Sequence, residues 1–208
     1  MRVTDLGDGL RRWTGWHEEW KQEVGSVSLE SPDGLLLFDP LVPPGDEKPF
    51  LASFDRDIAR AGGRVHVLIT VFWHARHARE LLGRHGGRLW APARGRAPVA
   101  RRAGEVTDVF RPGDPLPGGV VALASARANE VVYHLPGPRA LVAGDVILGA
   151  PGGGLRLCPE SWLPTGTGHE RLRESLRPLL ELDVERVLVS HGEPVLTGGG
   201  EALRALLA

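Results

Sequence analysis

Val67-Leu-Ile-Thr-Val-Phe-Trp-His-Ala-Arg-His77 is an apolar strand that empties into a histidine-bearing turn just before a helical stretch. A buried strand end of this kind aims its last side chains into a shared site. Two later segments repeat the arrangement: Ala140-Leu-Val-Ala-Gly-Asp145 ends in an acid and Arg186-Val-Leu-Val-Ser-His-Gly192 in an imidazole, each beside a glycine. Three strand ends thus offer His74, His77, Asp145 and His191, the donor types a divalent metal takes.

Working outward, short apolar runs alternate with turn signals. Strands are expected over Val24–Leu29, Gly34–Phe38, Val65–Thr70, Arg88–Ala91, Val120–Ala124, Glu130–Leu135, Ala140–Asp145 and Arg186–Ser190. Helical spacing shows in Phe50, Phe54 and Ile58, around Ala78–Leu82, in Leu172, Leu176, Leu179 and Leu180, and over Glu201–Leu207. Trp13, Trp16 and Trp20 lie three and then four apart, so a helix would place them on one face, packed on the core or on another subunit. Glycine and proline gather at Val42–Gly45, Arg111–Gly118 and Gly149–Gly154, which read as turns rather than linkers. Residues 1–208 are therefore read as one domain with two sheets at its centre and helices outside.

In order and character these strand ends resemble the metallo-β-lactamase superfamily, whose sites use a Thr-His-x-His-x-Asp-His turn, a Gly-His-Thr-Pro-Gly turn, a Gly-Asp strand end and a late Gly-His-Gly. Gly144-Asp145, Ser190-His191-Gly192 and Leu35-Leu-Leu-Phe-Asp-Pro40 match, and the likeness runs from about Gly25 to Gly192. The resemblance implies an α/β (α+β) fold, the four-layer αββα sandwich. It also exposes departures. Anchoring the first motif on Thr70 puts Val71, Trp73, Ala75 and Arg76 at its functional positions, whereas anchoring on His77 keeps His74 and His77 and places Phe72 and Arg76 at the others. Ala124-Ser-Ala-Arg-Ala128 stands where the mid-chain histidine motif belongs, with Ser125 at the ligand position.

A degenerate metal centre follows, with Arg76, Ser125, Arg127, Asp145 and His191 as cleft residues. Arg76 could place a fixed cation against Asp145 in the space of the missing ion, and Arg127 is a second such cation. On this reading no cofactor is expected, and the protein binds a small ligand without hydrolysing it. The alternative keeps one zinc or other divalent metal on His74, His77, Asp145 and His191, and makes the chain a hydrolase of an ester, thioester or phosphoester.

Composition narrows the partners. The formal net charge is −1, which gives no global attraction for nucleic acid or an anionic membrane. A local patch of arginines at 84, 88, 94, 96, 101 and 102 could hold a small anion. The single cysteine, Cys158, allows no internal disulfide, and the N-terminus lacks a secretory pattern, so a soluble cytoplasmic protein is expected, with a homo-oligomer left open.

Overall fold

The computed structural model describes residues 2–208. A seven-stranded sheet runs in chain order through β1 (Arg2–Asp5), β2 (Leu10–His17), β3 (Gln22–Ser31), β4 (Gly34–Phe38), β5 (Val65–Leu68), β6 (Arg88–Pro92) and β7 (Asp108–Phe110). β1 to β4 pair antiparallel through tight turns, and β4 to β7 pair parallel. The parallel half needs crossovers. These are α1 (Glu47–Arg60), α2 (Ala78–His85) and α3 (Arg96–Ala103). The second sheet takes β8 (Val121–Ala124), β9 (Val131–Leu135), β10 (Ala140–Ala143) and, after a small β11 (Ile147–Gly149) and β12 (Leu155–Leu157) hairpin, β13 (Arg186–Val189), in the order β13-β10-β9-β8. α4 (His169–Leu176) and α5 (Gly199–Leu207) complete the chain.

The period-two alternation of the buried strands decides the layering. On β4, Leu35 and Leu37 join Phe50, Phe54 and Ile58 of α1 in one apolar cluster, whereas Leu36 and Phe38 face the other sheet. On the second sheet Leu141, Ala143, Val187 and Val189 pack with Leu172, Leu176 and Leu203 of the helices, while Ala140, Val142 and Leu188 turn inward. Both faces of both sheets are thereby covered, giving the αββα sandwich. Apolar strands of this kind are continuous in sequence because neither face meets water.

The sheets meet where the site lies. Gly25 N donates to Ser190 O at 2.8 Å, and a Cβ on Gly25 would sit 2.7 Å from Val189 O, so only glycine permits this approach. Val131 N likewise donates to Thr70 O at 3.0 Å, which ties the end of β5 to the start of β9.

One expectation is overturned here. The tryptophan stretch is a strand, with Trp13 paired to Ser26 and Trp16 to Glu23. Cross-strand pairing and close packing at Gly15, where a Cβ would meet Leu41 at 2.8 Å, override the helical spacing. Trp13 is buried with its Nε1 donating to Leu41 O, Trp16 faces outward, and Trp20 lies in the following turn. α3 was hidden in what read only as an arginine patch. Among the described residues no helix is long and apolar enough to cross a membrane.

Candidate metal centre

Three strand ends supply the site. After β5 the chain makes a 3-10 turn over Phe72–Ala75, which carries His74 into the interior; β10 leads to Asp145 and β13 to His191. Among the described residues His74, Asp145 and His191 form the one cluster of metal-ligand type, with a donor atom of each within 4.8 Å of the others. His74 Nε2 and His191 Nε2 each lie 3.2 Å from Asp145 Oδ1. Two donors bound to one tetrahedral zinc at about 2.0–2.1 Å are about 3.3 Å apart, so the spacing suits a shared ion.

The orientation of the same atoms agrees. His74 Nε2 and Asp145 Oδ1 are buried and make no aligned hydrogen bond, despite their proximity. Together with His191 Nε2 they surround one point that an ion could occupy. A buried polar atom left without a partner is costly, and an ion at that point removes the cost for both. These residues therefore fit one divalent metal.

Supporting groups fix the ligands. His74 Nδ1 lies 2.9 Å from Asp39 Oδ2, and Asp39 Oδ1 accepts from Thr70 N at 2.8 Å while Thr70 Oγ1 donates to Oδ2. A carboxylate on the far nitrogen of a metal-ligating imidazole sets its tautomer and orientation. Burial and Arg76 press the His74 pKa down, but Asp39 and Asp145 on opposite nitrogens outweigh them and raise it. Burial favours protonation of Asp145, yet the adjacent imidazoles override it and hold the carboxyl far below its usual range. Trp73 Nε1 donates to Asp145 Oδ2 at 2.6 Å, which leaves Oδ1 as the free ligand atom. Gly144 is required beside it, since a Cβ there would lie 2.7 Å from Thr70 Oγ1. His191 Nδ1 has no hydrogen-bond partner, so this imidazole lacks the support His74 enjoys.

A cavity of about 340 Å³ opens on the cluster, lined by Trp20, Gln22, Trp73, Arg127, Asp145, Trp162 and His191. Trp20 stacks on His17 with centroids 3.9 Å apart and leans toward His74 and His191. Arg127 lies over Trp73, its guanidinium carbon 5.1 Å from the ring centroid.

Solved structures give this architecture its place. A metallo-β-lactamase from Pontibacter korlensis matches with a TM-score of 0.72 at 15% identity, covering 99% of this chain and 98% of that one. The metallo-β-lactamase IND-7 matches at 0.70 and 15% over 99% and 97%, and a β-lactamase domain protein from Burkholderia ambifaria at 0.67 and 19% over 98% and 75%. The chain has the metallo-β-lactamase fold. No protein-family model matches it, and no curated protein matches it in sequence.

Within the metallo-β-lactamase fold the expected site residues separate into those gathered and those not. His74, Asp145 and His191 converge; His77 does not. Its Nδ1 accepts from Val42 N at 3.1 Å and its backbone N donates to Pro40 O, so it braces the loop after β4. The cause is Arg76, whose φ of 38° turns the chain between the two histidines. The Arg76 side chain also corrects its expected pairing with Asp145. Its guanidinium donates to Gly25 O at 2.7 Å, to Asp39 O at 2.8 Å and to Ser190 Oγ, clamping the two sheets together. Burial pushes its pKa down to about 10.

Ser125 lies outside the cavity: its hydroxyl donates to Arg127 O and accepts from Arg127 N, closing a local turn. Arg127 does reach the cavity, but its partner is Glu130, with Nη1 2.7 Å from Oε2 and 3.9 Å from Asp145 Oδ2. Burial and the neighbouring Asp145 push Glu130 up to about 7 against the pull of Arg127. Glu130 Oε1 accepts from the backbone N of Asp145 and of Val146, so it holds the strand end in place. Glu130 and the cavity-lining role of Trp73 and Trp162 were missed from the sequence. The one available signal for Glu130 was an acid placed directly before a wholly buried strand.

Proposed function

We propose that this chain is a single-metal hydrolase of a small ester, thioester or phosphoester bearing an apolar body and an anionic group. The observation that carries the reading is the convergence of His74 Nε2, Asp145 Oδ1 and His191 Nε2 at ligand spacing, with His74 steadied by Asp39. His74, Asp145 and His191 would hold the ion. When bound, it supplies Lewis acidity toward water and toward a substrate carbonyl or phosphoryl oxygen.

The chain's own residues do the rest. Trp20, Trp73 and Trp162 grip the apolar body and exclude bulk water, which strengthens every charge interaction in the cavity. Arg127, held by Glu130, presents a guanidinium to the anionic group or to negative charge developing on the reacting oxygen. Trp73 keeps Asp145 Oδ2 occupied so that the carboxylate engages through one oxygen.

Elemental analysis after purification without chelators tests the site, with one metal equivalent per chain expected and none in His191→Ala. Nitrophenyl esters, nitrophenyl phosphates and aryl thioesters test the chemistry. Hydrolysis should stop with a chelator and return with zinc; turnover indifferent to chelation overturns the reading.

A second reading, a ligand-binding protein without turnover, is favoured by Trp73 and Arg127, which crowd the other face of Asp145. Stoichiometric metal with no hydrolysis across the three substrate classes selects it.

A further inference from the structure

A second cavity, of about 610 Å³, lies on the other side of the loop over residues 125–130. Arg127 of that loop lines the metal-centre cavity, whereas Ser125, Ala126, Ala128 and Glu130 line this one. Three arginines from distant parts of the chain reach it: Arg94 after β6, Arg111 after β7 and Arg171 on α4.

Basic side chains outnumber acidic ones in the lining of this cavity. Some surface arginines find acids, Arg84 with Asp55, Arg88 with Asp108, Arg139 with Asp183 and Arg177 with Glu174, whereas Arg96, Arg101 and Arg102 find none among the described residues. Among the described residues Arg94, Arg111 and Arg171 form no ion pair. Asp114 accepts from the Arg111 backbone N at 2.7 Å, so a negative charge stays near Arg111, though outside the lining of the cavity. The one acid in the lining, Glu130, is buried and engaged by Arg127 and two backbone N–H groups.

Of the run Arg84–Arg102, Arg84 and Arg88 pair with acids, and Arg94 joins Arg111 and Arg171 around this cavity. Three exposed arginines border one concavity, and an anion with several negative oxygens can engage their guanidiniums through charge-assisted hydrogen bonds. The remaining walls are mostly apolar, including Pro92, Phe110, Pro112 and Val131, with Ser125, Ser175 and Glu130 among them, and the volume lies in the range of small-molecule sites. We propose that this cavity binds a small molecule carrying a di- or triphosphate group, with Arg94, Arg111 and Arg171 on the phosphates and the apolar walls against the remainder. The site is separate from the metal centre and shares with it only the loop over residues 125–130.

Calorimetric titration with inorganic tripolyphosphate at low salt tests this. One saturable site per chain is expected, with binding weakened at least tenfold in Arg94→Gln/Arg111→Gln/Arg171→Gln and weakened by added salt. Arg84→Gln/Arg101→Gln/Arg177→Gln removes the same charge elsewhere and should leave the affinity within about twofold. His191→Ala, which loses a proposed metal ligand, should bind tripolyphosphate as the unaltered chain does, so failure of the metal reading leaves this one standing. No saturable binding, or equal loss in both triple variants, overturns the proposal. So does tighter binding of single-stranded oligonucleotides that strengthens with their length, which would assign the arginines to nucleic acid.

Discussion

Two enclosed arginines, one in the turn carrying His74 and one in the loop over residues 125–130, meet opposite kinds of partner. Arg76 donates to neutral oxygens from both sheets and pairs with no carboxylate, whereas Arg127 shares the interior with Glu130. A cation among carbonyls and hydroxyls works as a clamp, because hydrogen bonds and not charge balance hold it. A cation beside a buried acid works as a neutraliser, and its removal strands the partner. The first turn carries an imidazole toward Asp145 and His191; the second sets an ion pair beside the same cavity.

Arg127→Ala should show the largest effect, about 3–5 kcal/mol of lost stability, because it leaves Glu130 buried and uncompensated. Glu130→Gln in that background should recover part of the loss, and denaturant melts of both single variants and the double variant read the coupling. Additive effects would erase the distinction between the two arginines.

Arg76→Ala should cost about 1–3 kcal/mol for each buried acceptor it abandons, less what water entering the gap restores. Here Asp145→Asn should bring no rescue, since the two side chains are not paired. A recovery like that expected at Glu130 would turn the clamp back into a charge partner.

Asp39→Asn sharpens the turn's other role. It removes the carboxylate from His74 Nδ1 and should weaken zinc binding about 10–100-fold. Competition with a chromogenic chelator measures this; an unchanged affinity would mean that His74 needs no orienting group.

The smallest effect is that of acid. Guanidinium charge is constant over about pH 5–8, so acid acts on Glu130, the partner of Arg127, and on histidines elsewhere. Burial lowers the pKa of His66, His85 and His134 below 6.5 in the fold. The unfolded chain then binds more protons as pH falls through that window, and stability falls with it. His74 and Glu130, with their pKa raised, oppose the trend, Glu130 at about 7. Between pH 7.5 and about 5.5 the denaturant midpoint of His66→Gln should fall less, or rise more, than that of the unaltered chain, and parallel profiles would remove His66 from the account.

The fold was legible because buried strands write themselves as apolar runs: Gly34–Phe38 coincides with β4, and Val65, Ala140 and Arg186 each open a strand. The tryptophan stretch misled because three-and-four spacing also arises by chance in a hairpin, where the deciding contacts come from β3. At the site His74, Asp145 and His191 were visible as strand-end residues. The exclusion of His77 was not, since it depends on one backbone dihedral at Arg76, and the partner of Arg127 depends on a turn that brings residue 130 back over residue 127.

The ring of indoles around the cavity has a spectroscopic consequence. Trp20, Trp73 and Trp162 are half of the chain's six tryptophans, and all three border the metal-ligand cluster. Intrinsic emission therefore originates in large part where binding would occur. A paramagnetic ion such as Co(II) or Cu(II) entering between His74, Asp145 and His191 should quench a large share of it, while Trp13, Trp16 and Trp90 supply an internal baseline from elsewhere in the molecule.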